Sequence, residues 1–72
     1  MNNILVVSIY DGGWGGFDAC VICDNKRIEL EEHYIKSLIL CSTQELIDKA
    51  KELNFNGIII CEDGTIVTKF FN

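Results

Sequence analysis

The sequence predicts an α+β fold: a mixed, mostly antiparallel sheet of about five strands with one helix, about residues 43–53, packed on one face. Three observations carry it. Aliphatic and β-branched runs recur between glycine- and Asx-rich turns, one segment joins a capping box to an apolar stripe, and proline is absent throughout. At 72 residues the chain has room for a single domain, residues 1–72, and an apolar content of 49% is too high for intrinsic disorder.

Residues 4–10 are apolar at both odd and even positions, which fits a strand buried on both faces and therefore central. Residues 11–16 carry four glycines, too much backbone freedom for regular structure, and form a hairpin loop flanked by Tyr10 and Phe17. From Phe17 to Cys23 the pattern alternates: Phe17, Ala19, Val21 and Cys23 point one way, Asp18, Cys20 and Ile22 the other. A turn over residues 24–27 leads to a second hairpin, in which Cys23 opposite Ile28, Val21 opposite Leu30 and Asp24 opposite Arg27 keep the apolar residues together.

Residues 31–36 fit either a strand or a short helix, since Leu30, Tyr34 and Leu38 also follow i, i+4 spacing and Glu32 reaches Lys36 in a helix. Residues 38–41 look like a buried strand. Ser42 and Glu45 have the spacing of a capping box, Leu46, Ile47, Ala50 and Leu53 form one stripe, and Glu45 pairs with Lys49. Asn54 suits the left-handed cap, with Phe55 packing back. Residues 57–61, a two-residue turn at Asp63 and Gly64, and residues 66–71 then make a strand, a turn and a returning strand. With a strand on each side of the helix, residues 38–61 suit a β-α-β crossover. One helix covers one sheet face, yet Leu5, Val7 and Ile9 oppose Ile4 and Val6, and Ile59 and Cys61 oppose Ile58 and Ile60, so apolar surface is left on the second face for another subunit or a partner.

Net charge is −5, which disfavours direct nucleic-acid binding. Residues 1–33 hold six acids and two bases against five and four in residues 34–72, so the acidic field lies in the N-terminal half and suits a protein partner with a basic surface. No run approaches the ~20 apolar residues of a membrane span. The first residues lack Lys or Arg ahead of the apolar run, which speaks against a signal peptide and for a cytoplasmic protein with reduced thiols.

Cys20 and Cys23 have the two-residue gap of a zinc knuckle, but Val21 and Ile22 keep the strand extended and the two thiols on opposite faces. With Cys41 and Cys61 they are expected to be small core hydrophobes, with no metal and no cofactor, and His33 a solvated surface residue. The glycine loop leads to a strand rather than a helix N-terminus, and no Lys or Arg occurs before residue 26, so a phosphate cradle is disfavoured. Trp14 is either a lid on the core or an anchor for a partner. No Ser, His or carboxylate set has catalytic spacing, and the chain is expected not to be an enzyme.

The candidate partner-binding residues are Tyr10, Asp11, Trp14, Phe17, Asp18, Glu29, Glu31 and Glu32. In size, acidity and richness in Ile and Asn, the chain resembles in general character the small inhibitors carried by phages and mobile elements, including those that block host defence nucleases. That resemblance implies a non-enzymatic module that occludes a basic surface of a host nucleic-acid enzyme or defence complex in the host cytoplasm. A binder of a small ligand or metal, using the glycine loop or the cysteines, is the alternative.

Overall fold

In a computed structural model, which describes residues 3–10 and 15–71, the chain forms five strands and two helices. In chain order these are β1 (Asn3–Tyr10), β2 (Gly16–Cys23), β3 (Lys26–Glu29), α1 (Glu32–Leu38), α2 (Thr43–Glu52), β4 (Gly57–Glu62) and β5 (Thr65–Phe70). The α+β class and the mixed sheet are as the sequence predicts, with one helix more. Strand order is β3-β2-β1-β4-β5, so β1, apolar on both sides, takes the central place. It runs antiparallel to β2 and parallel to β4, while the outer pairs are antiparallel.

Both helices lie on one face. Leu38, Leu46, Ile47 and Ala50 pack there on Leu5, Val7, Ala19, Val21, Ile58 and Ile60 in one cluster. Because β1 pairs Leu5 with Val21 and with Ile58, and Val7 with Ala19 and with Ile60, three strands present one in-register apolar row after another to the helices.

The second hairpin is tighter than expected. Cys23 pairs with Lys26 and Val21 with Ile28, where the sequence pattern favoured Ile28 and Leu30 as partners. The cause is local: Asp24 and Asn25 both adopt positive φ, 51° and 65°, the geometry of a two-residue hairpin turn whose twist matches the strands. A shift of two residues preserves the faces, so Ile28 still shares the side of Val21. Arg27 stands opposite Ile22 rather than Asp24.

Residues 32–38 resolve to helix, with Lys36 Nζ 3.5 Å from Glu32 Oε1 one turn away. Residues 38–41 are not a strand. Leu38 closes α1 and is 2% exposed, whereas Ile39 is 51% and Leu40 92% exposed in the connection to α2. Both edges of β1 are already taken by β2 and β4, which leaves residues 38–41 no central position to fill. The parallel partner of β4 is therefore β1, and the expected crossover through residues 38–61 does not form.

Helix α2 starts as its sequence dictates. The Ser42 side chain accepts from Glu45 N–H, and the Glu45 carboxylate accepts from Ser42 N–H at 3.3 Å. That engagement draws Glu45 away from Lys49, and among the described residues the expected pair between them does not form; Gln44 donates to Asp48 instead at 3.1 Å. At the other end Asn54 has φ 64°, and the N–H groups of Asn54 and Phe55 return to the carbonyls of Lys51 and Ala50, a Schellman cap. Asn56 then fastens the sheet: its side chain accepts from Asn3 N–H at 2.9 Å, its N–H donates to Asn3 O at 2.8 Å, and its carbonyl accepts from Phe71 N–H at 2.7 Å.

Candidate functional site

Three groups of residues on this frame have chemistry to offer: a cleft at one end of the sheet, the sheet face opposite the helices, and the thiols.

The cleft opens at the carboxyl ends of β1 and β4, where parallel neighbours in open sheets leave a crevice. It encloses about 530 Å³. Ile9 and Phe17, paired across β1 and β2, form one wall, and Ile39 and Cys41 from the link between the helices form the other. Gly15 and Gly16 lie along the floor, and Glu62, at the end of β4, supplies a carboxylate with no ion pair among the described residues. The lining thus joins apolar side chains to glycine backbone and one acidic group, suited to an aliphatic or aromatic side chain next to a base.

On the face opposite the helices, alternation sets Ile4 between Ile22 and Gly57, Val6 between Cys20 and Ile59, and Ser8 between Asp18 and Cys61. Phe70, Thr68 and Ile66 of β5 continue these three rows at one edge, and Arg27 and Glu29 of β3 continue two of them at the other. The apolar surface expected from the sequence is present, and among the described residues no element lies over it. Phe70 is 71% exposed, yet its ring reaches over Gly57: a Cβ there would stand 2.9 Å from Phe70 Cδ1. At the far end of the face the Tyr10 ring lies against Gly16.

The eight residues picked out by sequence do not converge. Tyr10, Asp18 and Glu29 share the face opposite the helices, Phe17 lies in the cleft, and Glu31 and Glu32 stand at the start of α1. Asp11 and Trp14 lie outside the described residues. The acids are also largely engaged. Arg27 reaches Asp18 at 3.3 Å and Glu29 at 2.9 Å, His33 lies 3.2 Å from Glu31 and Lys36 3.5 Å from Glu32, so all four described acidic candidates have a basic neighbour. The cleft residues Ile39 and Cys41 escaped sequence reading because the aliphatic run at 38–41 imitates a buried strand.

Cys20 faces away from the helices and Cys23 toward them, as the alternation predicts, so the pair cannot converge on one ion. Cys20 is buried; Cys23, Cys41 and Cys61 are half-buried, and all four are free thiols. Burial pushes the Cys20 thiol above its ordinary value of 9.0, Arg27 opposing and Asp18 and Glu29 adding to the rise. The unfolded thiol ionises first, so its contribution to stability is complete below about pH 9 and is lost as pH rises through the folded value. Two outcomes are expected: Cys20 is the last thiol to be alkylated in site-resolved mass spectrometry at pH 8, and Cys20→Ala flattens the fall in stability between pH 8 and pH 10. Rapid modification of Cys20 in folded protein would contradict its burial.

A smaller hollow of about 180 Å³ lies between the helices and β1, lined by Leu5, Leu30, Tyr34, Leu38, Leu53 and Phe55 together with Ser37. The Ser37 hydroxyl is spent on Tyr34 O at 2.7 Å, so little is left there to orient a polar ligand. Among the described residues no cluster of three or more His, Cys, Asp or Glu side chains is placed to hold a metal. No helix among them is long and apolar enough to cross a membrane. No protein-family model, no curated protein and no solved structure matches this chain.

Proposed function

We propose that the chain is a non-enzymatic protein-binding module that seats an apolar side chain from a basic surface of its partner in the cleft at the ends of β1 and β4. The observation that carries this is the combination, in one hollow of about 530 Å³, of the Ile9, Phe17 and Ile39 side chains with a Glu62 carboxylate that has no ion pair among the described residues. The net charge of −5 supports the same direction, since it favours encounter with a basic surface. In the wider form of the proposal the partner is a nucleic-acid enzyme or defence complex, and carboxylates occupy a groove that otherwise holds phosphates.

The test compares wild type with Ile39→Glu, Glu62→Lys and Trp14→Ala in pull-downs from host lysate, followed by binding kinetics on the recovered protein. Ile39 lines the cleft and is 51% exposed, so its replacement leaves the fold intact. A basic protein held by wild type, displaced by nucleic acid and bound at least about tenfold more weakly by each cleft variant, is the expected result, with Trp14→Ala acting on dissociation at a cost of about 2 kcal/mol or more. Equal binding by wild type, Ile39→Glu and Glu62→Lys would remove the cleft from the interface.

A further inference from the structure

We infer that a second copy of this chain covers the sheet face opposite the helices, in a two-fold dimer whose sheets stack with β1 at the axis. The first support is surface area. The chain exposes 5115 Å² at a mass of 8.1 kDa, whereas a compact monomer of that mass exposes about 4,500 Å². The smallest specific interfaces take about 600 Å² from each partner, about 1,200 Å² in total. A face five strands wide at about 4.8 Å and about six residues long at about 3.3 Å has a flat footprint of roughly 480 Å², and pleating raises its accessible area toward that figure.

The second support is charge. The rows of Ile4 and Val6, with Ile22, Cys20 and Ile59, hold no charged side chain on β1, β2 or β4; the charges of the face are Asp18 beside Ser8 and Arg27 and Glu29 on β3, and Arg27 reaches both carboxylates. Nothing in those rows selects a basic partner, which separates this surface from the cleft. It suits an equally apolar surface, and a second copy offers one by symmetry.

Charge also orients the pair. A two-fold axis running across the strands sets β3 over β3 and brings the two Glu29 carboxylates together. An axis along β1 instead sets β2 over β4 and β3 over β5, so Arg27 and Glu29 meet the uncharged edge of Ile66, Thr68 and Phe70. Val6 then meets its own counterpart, and bulky Ile22 passes over the strand that holds Gly57. Stacked sheets that cross at about 30° place the axis roughly 15° from β1.

Sedimentation of wild type, Val6→Lys and Thr68→Glu tests the arrangement, with circular dichroism confirming the fold of each. Both substitutions face solvent in a monomer; in the dimer Val6→Lys sets two ammonium groups at the axis and Thr68→Glu brings a carboxylate to Glu29. Wild type is expected at about twice 8.1 kDa with a dissociation constant under about 10 µM, and each folded variant at least about tenfold weaker. If Val6→Lys fails to fold, Thr68→Glu decides. A wild type that remains monomeric to ~100 µM, or folded variants that dimerise as wild type does, would overturn the inference. The cleft variant Ile39→Glu should leave the dimer intact, so failure here and failure of the cleft proposal are separate results.

Discussion

Leu46→Ala should lower unfolding free energy by about 3 kcal/mol, within the range of about 2–5 kcal/mol for a truncated buried leucine. Leu46 is 0% exposed and lies in the cluster that joins both helices to β1 and β4, so the vacated volume is walled by strands on one side and cannot collapse freely. A domain of 72 residues holds only about 4–11 kcal/mol in all, so the loss is a large share. The melting temperature should fall by roughly 12–24 °C in calorimetry. Leu53→Ala is the control: Leu53, 47% exposed at the end of the same helix, should cost less than about 1 kcal/mol. Similar losses at the two positions would mean that α2 does not sit on the sheet as described.

Gly57→Val should be nearly as damaging, by about 3 kcal/mol, for the opposite reason of too much matter in too little space. A Cβ at Gly57 would come within 2.8 Å of the Lys69 carbonyl oxygen and 3.1 Å of Ile4 Cδ1, in addition to the Phe70 ring. Side chains can turn aside, but the carbonyl belongs to the neighbouring strand and moves only if β4 and β5 part. Gly57→Ala meets the same carbonyl with less bulk and should lose less, about 1–2 kcal/mol by chemical denaturation. Phe70→Ala relieves only the ring contact. If Phe70→Ala in the Gly57→Val background restored full stability, the ring rather than the strand backbone would be the source of the strain.

Legibility follows the strength of local periodicity. Residues 4–10, 17–23, 43–52 and 57–61 fold as their patterns predict because each carries a long regular signal bounded by turn or cap residues: Ser42 and Glu45 at one helix end, Asn54 at the other. The turn at Asp24 and Asn25 was harder to read, since four polar residues permit both a two- and a four-residue loop, and backbone twist decides between them. Residues 38–41 misled for a different reason. Their aliphatic run satisfies a strand, but strand membership requires a free edge beside a neighbour, and that is a property of the completed sheet. The cleft was lost with them, because Ile39 and Cys41 form its wall only once that run is known to be a connection. The apolar face opposite the helices was readable, since it needs only the parity of β1 and β4.

The parallel pairing of β1 with β4 also sets the order in which the molecule can be built. Ile4 and Gly57 are partners, so the central strand holds one neighbour from its own hairpin and waits for the other across most of the chain. On a ribosome adding about 5–20 residues per second, β4 is synthesised roughly 3–10 seconds after β1. For that interval the three N-terminal strands can close as a meander while one edge of β1 keeps its amide and carbonyl groups unpaired, a template for any passing strand. Folding that must close so long a loop belongs to the slower, millisecond-to-second class despite the small size of the chain. The vulnerable moment of this protein therefore comes during its synthesis, and it ends when Asn56 reaches Asn3 and draws β4 into place.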